Sequence, residues 1–322
     1  MRRWVGLGAG VVLAVAGCSG GGAGDGASGA GARAYLEEAL GVAERHSVLR
    51  DTADWAAVRE AAFRRAERDR ARTPAQTYPA IRDALRELGD RHSQLLDPAQ
   101  AAEATGAADA EPPAVELLPG RIAHVTLPAV PNERAGAEYV RRGREAVAKA
   151  AAAGTCGWVV DLRSNPGGDM FPLLGAVGAV LGDGTVGAFV TPGGGRTPWV
   201  VRSGTPGGQL RDWGPAAPLP RPGPPVAVLT SNRTASAAEA AVIAFRGRPS
   251  TRTFGEPTAG LTTGNAAHRL SDGALLLLAG SYEADRTGTV HKGPLAPDEE
   301  TGEERAPQAA AQWLRAQDGC RG

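Results

Sequence analysis

Three short segments of this chain place residues of chemical use at the ends of regular structure. The first runs from Val226 to Glu239: an apolar strand, a polar turn, then Ser236 at the start of a helix. A hydroxyl held there projects from a sharp turn, and the helix N-terminus offers free amides and positive potential to a developing oxyanion. The same Ser236 and Glu239 spacing reads equally as a capping box, in which both side chains merely satisfy terminal amides. The second segment, Asp161 to Asp169, is again a strand end, a tight turn and a helix start. Its adjacent Gly167 and Gly168 let backbone amides approach an oxygen without Cβ interference. It lacks the glycine spacing and the lysine of a phosphate cradle. In the third segment a helix ends at Leu88, and His92 follows in the polar turn from Gly89 to Ser93. A lone histidine carries no message, and His46, His124, His268 and His291 carry none here.

The elements that must position these residues fall into two textures. From Arg33 to Gln100 apolar residues recur at helical spacing, as in Tyr35, Leu36, Leu40 and Ala43 or Tyr78, Ile81, Leu85 and Leu88. Asp54 can cap the second of these helices, and Thr73 with Pro74 can open the third. After it, strands and helices alternate. Strands are expected at Arg121 to Leu127, Gly157 to Leu162, Val226 to Thr230, near Thr253 and at Ala274 to Leu278. Helices are expected at Glu133 to Ala152, Phe171 to Leu181, Ala235 to Phe245 and Ala306 to Ala316. That alternation argues an α/β layer structure. Pro192 to Pro225, rich in glycine and proline, reads as hairpin and loop.

Read together and in order, the three segments resemble the C-terminal processing, or tail-specific, serine peptidase family, which includes the tricorn core and interphotoreceptor retinoid-binding protein modules. Leu-Gly-Asp-x-His-Ser at 88 to 93, Asp-Leu-Arg-x-Asn-Pro-Gly-Gly at 161 to 168 and Thr-Ala-Ser-Ala-Ala-Glu at 234 to 239 carry the resemblance. Gly-Glu-Pro-Thr-x-Gly at 255 to 260 and Pro297-Asp298 extend it. It implies a crotonase-like α/β core behind an N-terminal helical domain, Ser236 as nucleophile, and oxyanion amides from Gly167 or Gly168 and from Ala237. The processing branch follows its Thr-x-Gly with a lysine base, but Leu261 stands here, and the chain's two lysines, Lys149 and Lys292, match no base position. The tricorn-like branch uses a histidine from the helical domain, which His92 matches, with a pKa suited to proton transfer near neutrality. That branch orients the histidine with a glutamate close to the final Pro-Asp. No acid lies between Arg286 and Pro297, so Glu283 and Asp285 are the nearby substitutes. The family's peptide-binding PDZ domain finds no room in 101–113.

The N-terminus reads as a processing segment. Arg2 and Arg3 precede a 12-residue apolar run, Val5 to Ala16, too short to span a bilayer comfortably, and Val15-Ala16-Gly17-Cys18 closes it. The pattern resembles a bacterial lipoprotein signal, whose cysteine, here Cys18, is acylated after cleavage. The expected organisation is a signal peptide at 1–17, a Gly/Ala/Ser tether at 18–32 and a helical domain at 33–100. A linker at 101–113, an α/β peptidase core at 114–305 and a C-terminal helix and tail at 306–322 complete it. Lys+Arg 35 against Asp+Glu 35 gives no surplus to hold a nucleic-acid backbone. The expected partners are a peptide or protein substrate and a membrane reached through the lipid anchor, with no nucleic acid and no cofactor or metal. The alternative is a catalytically inactive ligand- or peptide-binding lipoprotein on the same fold. Cys156 and Cys320 are free to pair in an exported chain, or Cys156 serves as a small buried hydrophobe.

Overall fold

The computed structural model describes residues 29–106, 109–202, 205–207 and 213–321. Cys18, the signal segment and the tether up to residue 28 lie outside the described residues, and the last four residues expected in the tether, 29–32, begin the first helix instead. Three helices come first: α1 (Gly29–His46), α2 (Trp55–Arg68) and α3 (Pro74–Leu88). Asp54 caps α2 by accepting the Ala57 N–H at 3.0 Å, and Thr73, Pro74 and Gln76 open α3 with a capping box. Gly89, at φ 78°, ends α3 in the left-handed conformation that residues with a Cβ resist. Strand β1 (Gln94–Leu96) and helix α4 (Pro98–Thr105) follow. The stretch read as a linker, 101–113, therefore begins inside a helix. Asp97 and Pro98 supply a start signal that the alanine-rich composition hid, and Ala101 is buried in a small cluster with Leu96, Leu275 and Leu277.

The second half runs β2 (Ala114–Leu118), β3 (Ile122–Thr126), α5 (Gly136–Ala152), β4 (Gly157–Asp161), α6 (Met170–Ala176) and α7 (Gly178–Leu181). The single helix expected over Phe171 to Leu181 is broken at Val177, whose φ of −113° and ψ of 17° leave the helical region. Strands β5 (Gly184–Val190), β6 (Arg196–Arg202), β7 (Thr205–Gly207) and β8 (Val226–Thr230) lead into α8 (Ala237–Phe245). The chain continues through β9 (Thr251–Gly255), β10 (Thr263–Arg269), β11 (Leu275–Asp285), β12 (Val290–His291), β13 (Glu299–Glu300) and α9 (Ala306–Arg315).

One sheet has the order β13-β9-β8-β4-β3-β2, parallel except for the β2–β3 pair. Its central strands β4 and β8 are buried at every residue, as parallel strands covered on both faces must be. Ala123, Val125, Trp158, Val160, Val226 and Val228 face a core shared with α5, α6 and α8. The alternate residues Ile122, Val159, Ala227 and Leu229 face α9. Cys156 and Cys320 form a disulfide that ties the end of the chain to the start of β4. The second sheet, β1-β11-β5-β6-β7 with β10 and β12 also on β11, is antiparallel. Leu276 and Leu278 of β11 pack under α1 and α3. The molecule is thus a mixed α/β structure with an N-terminal helical region laid on its antiparallel sheet.

Candidate active site

The turn after β8 is stitched to the turn after β4. Thr234 Oγ1 donates to the Leu162 carbonyl at 2.9 Å, the Ala235 N–H to the Asn165 carbonyl at 3.1 Å, and Ser231 Oγ to the Arg163 carbonyl. So fixed, Ser236 holds φ 53° and ψ −118°, a conformation costing a residue with a Cβ on the order of 1–3 kcal/mol. The capping box is formed as well: the Ser236 N–H donates to Glu239 Oε2 at 2.9 Å. Glu239, fully buried, also accepts from Thr258 Oγ1 and from the Gly260 and Leu261 amides at 2.8 and 2.7 Å. The Gly-Glu-Pro-Thr-x-Gly segment is therefore the receptor for this carboxylate. Gly260, at φ 87°, has no room for a Cβ beside Pro294.

His92 reaches Ser236 from the helical side. Asp90 accepts the His92 and Ser93 amides at 2.9 and 2.7 Å and the Ser93 hydroxyl at 2.7 Å, shaping the loop after Gly89. The loop is pinned to the antiparallel sheet, because Asn265 Nδ2 donates to the His92 carbonyl and the Ala279 N–H to Ser93 Oγ, both at 3.0 Å. His92 Nε2 lies 3.0 Å from Ser236 Oγ, and His92 Nδ1 lies 2.7 Å from Thr263 Oγ1. Burial lowers the imidazole pKa to about 4, against the opposing pull of Asp90. The ring is consequently neutral at neutral pH. With the proton on Nδ1, donated to Thr263, Nε2 presents its lone pair to the serine hydroxyl.

The two glycines have different duties. Gly167 (φ 118°) passes so close to Ser236 that an added Cβ would lie 2.9 Å from the serine Cβ, and its N–H is spent on Asn165 Oδ1 at 2.8 Å. Gly168 (φ 111°) would place a Cβ 1.9 Å from the Val130 carbonyl oxygen. Among the described residues the Gly168 and Ala237 amides have no hydrogen-bond acceptor, and both residues line the cleft beside Ser236. Of the amides expected for an oxyanion, Gly168 and Ala237 are available and Gly167 is not.

Neither acid proposed beside the histidine stands there. Asp285 Oδ1 accepts from Thr287 and Thr289, and its Oδ2 pairs with His291 Nε2 at 3.0 Å. Glu283 is buried in the wall of the same cleft without a bond to His92, whose Nδ1 is taken by Thr263. Lys292 packs its ammonium over the Tyr282 ring, 4.3 Å from the centroid, and Lys149 sits in the last turn of α5. Spacing did not reveal Thr263. Its one clue is that it follows Leu261, at the family's lysine position, by two residues. Among the described residues no group of three or more His, Cys, Asp or Glu could hold a metal ion.

The signature of Peptidase family S41 matches residues 121–301, which takes in both glycines and Ser236 and leaves out His92. The chain belongs to Peptidase family S41. It is 25% identical over 287 residues to the nisin-resistance protein of Lactococcus lactis subsp. lactis, a match covering 88% of this chain and 87% of that one. Among solved structures, this S41 chain is similar to a lipoprotein from Streptococcus agalactiae, with a TM-score of 0.75, 23% identity and coverage of 89% and 96% of the two chains. It is also similar to the photosystem II D1 C-terminal processing protease, with a TM-score of 0.61, 17% identity and coverage of 90% and 98%. The fold is therefore shared with a processing protease whose sequence has diverged widely.

Proposed function

We propose that this chain is an exported, lipid-anchored serine peptidase that hydrolyses peptide bonds through Ser236 and His92. The observation that carries this reading is the 3.0 Å approach of His92 Nε2 to Ser236 Oγ beside two unpaired amides. As Ser236 Oγ attacks the scissile carbonyl carbon, its proton passes to His92 Nε2, and the carbonyl oxygen, now an anion, takes the Gly168 and Ala237 N–H groups. The imidazolium returns that proton to the leaving amine. A water then repeats the sequence on the acyl-enzyme, with His92 again taking and returning the proton. Thr263 holds the Nδ1–H throughout. A hydroxyl stabilises an imidazolium less than a carboxylate does, so acylation is slower here than with an acid in that place.

Cys18 after its short apolar run supports a lipid anchor on the extracytoplasmic face, as do similar proteins named for nisin resistance and as a lipoprotein. Cys18→Ser protein should leave the membrane fraction once the signal is removed; cleaved mutant that still sediments with membranes counts against the anchor. The second reading is a binding protein without catalysis, favoured by the absence of a carboxylate from His92 Nδ1. A fluorophosphonate probe separates the two. Labelling at Ser236 supports the peptidase, and folded protein that stays unlabelled supports the binder.

A further inference from the structure

The cleft at Ser236 contains an acid that the catalytic steps do not use. Glu283, on β11, is 2% exposed, and its Oε2 has no hydrogen-bond partner among the described residues. Asn265, on β10, leaves its Oδ1 equally unpartnered while its amide nitrogen is engaged by the His92 carbonyl. A buried polar oxygen without a donor costs on the order of 1–3 kcal/mol. Two such oxygens line one cleft. Asp169, on the same lining, caps α6 through its Oδ1, which accepts the Phe171 N–H at 3.1 Å. Burial and the neighbouring Glu239 push the Glu283 carboxyl well above the usual carboxylate range, and burial lifts Asp169 to about 6. No lysine or arginine is among the lining residues, while Phe189, which pairs with Glu283 across the β5–β11 ladder, and Met170 supply apolar wall.

We propose that Glu283, with Asp169 and Asn265, forms a specificity subsite that takes a lysine or arginine side chain of the peptide next to the scissile bond. A long basic side chain meets both features of the cleft. Its methylene stem lies along Phe189 and Met170, and its terminal N–H groups supply the donors that Glu283 and Asn265 lack. Burial favours the protonated form of Glu283 in the free protein, and a bound cation favours its carboxylate, so any proton Glu283 carries leaves to solvent on binding. The pairing excludes solvent and so favours a cation over a neutral isostere of equal length.

This rests on the peptidase reading, and the test keeps the two apart by measuring binding to a protein that cannot turn over. Ser236→Ala protein is titrated with peptides identical except for lysine, norleucine or glutamate at each position flanking the cleavable bond, and Kd is read by anisotropy. At one position lysine should bind at least about tenfold tighter than norleucine, with glutamate weakest. Adding Glu283→Gln, which keeps shape and hydrogen bonding but removes the charge, should bring the lysine-to-norleucine ratio to within about threefold of unity. A protein that prefers lysine nowhere, or that keeps its ratio in both Glu283→Gln and Asp169→Asn, overturns the subsite. Wild-type protein is labelled by fluorophosphonate in parallel. Labelling without a lysine preference leaves the peptidase standing and removes the subsite; a lysine preference without labelling does the reverse.

Discussion

At the scale of single residues, the proposed mechanism makes the hydroxyl, the imidazole and the threonine behind it one unit, so their substitutions should not add. Ser236→Ala and His92→Ala should each reduce peptide hydrolysis to background, with the double mutant no worse than either. Residual activity within about tenfold of the parent in either single mutant would remove that residue from the mechanism. Thr263→Val removes the Nδ1 acceptor without changing side-chain volume much. It should lower kcat by roughly 10- to 100-fold, the equivalent of about 1–3 kcal/mol, and leave KM nearly unchanged. The buried histidine also sets a pH signature. Its pKa near 4 in the fold means that Nε2 stays unprotonated well below pH 6.5, so the rate of fluorophosphonate labelling should hold its plateau and break near pH 4. In the unfolded chain the same imidazole takes up its proton near pH 6.5. The unfolded state therefore binds more protons between pH 6.5 and 4, and stability must fall as pH drops through that window, by on the order of 3 kcal/mol at most. Thermal melts at pH 7 and pH 4.5 check this, since the loss should be smaller in His92→Asn. Much of this site was legible beforehand, because Ser236, His92 and the glycine pair each sit at the end of an element with a strong local signal. Thr263 was not. It lies in a strand of polar and small residues, Thr263–Arg269, whose partner strand alone makes it a strand.

At the scale of elements, one buried carboxylate holds the turn that carries Ser236. Glu239 binds the Ser236 amide on one side and Thr258, Gly260 and Leu261 on the other. Glu239→Ala orphans three buried amides and a hydroxyl, a loss on the order of 3 kcal/mol or more, and should lower Tm and abolish labelling together. Glu239→Gln keeps an acceptor and should lose less of both. Gly167→Ala should likewise silence Ser236, since its Cβ would press on the serine and its φ of 118° disfavours any side chain. The elements themselves divide by how local their cause is. Strands β4 and β8, apolar at nearly every position, and helix α8 were readable from the chain because burial on both faces leaves an unbroken apolar run. Strand β11 was read only over its apolar half. Ser281, Glu283 and Asp285 break the apolar pattern, and pairing with β10, β5 and β12 carries the strand through them.

At the scale of the whole molecule, the four hydrophobic clusters of the described residues are held in register by a few long-range ties. The Cys156–Cys320 disulfide fastens α9 to the parallel sheet. Cys320→Ser should cost about 2–5 kcal/mol, seen as a lower Tm under oxidising conditions that reductant no longer changes. Ser236 lies on the opposite side of that sheet from α9, so its labelling at 25 °C should persist. On the other flank Tyr35 and Tyr78 both donate to Asp272 in the β10–β11 turn, clasping the helices to the antiparallel sheet. The clasp matters to chemistry because His92 comes from the helical side and Ser236 from the parallel layer, 144 positions later in the chain. Until the fold closes, the chain thus carries a serine and a histidine that are far apart and cannot exchange a proton. Folding and assembly of the site become one event: the serine–histidine pair exists only after both sheets have closed around the helix between them.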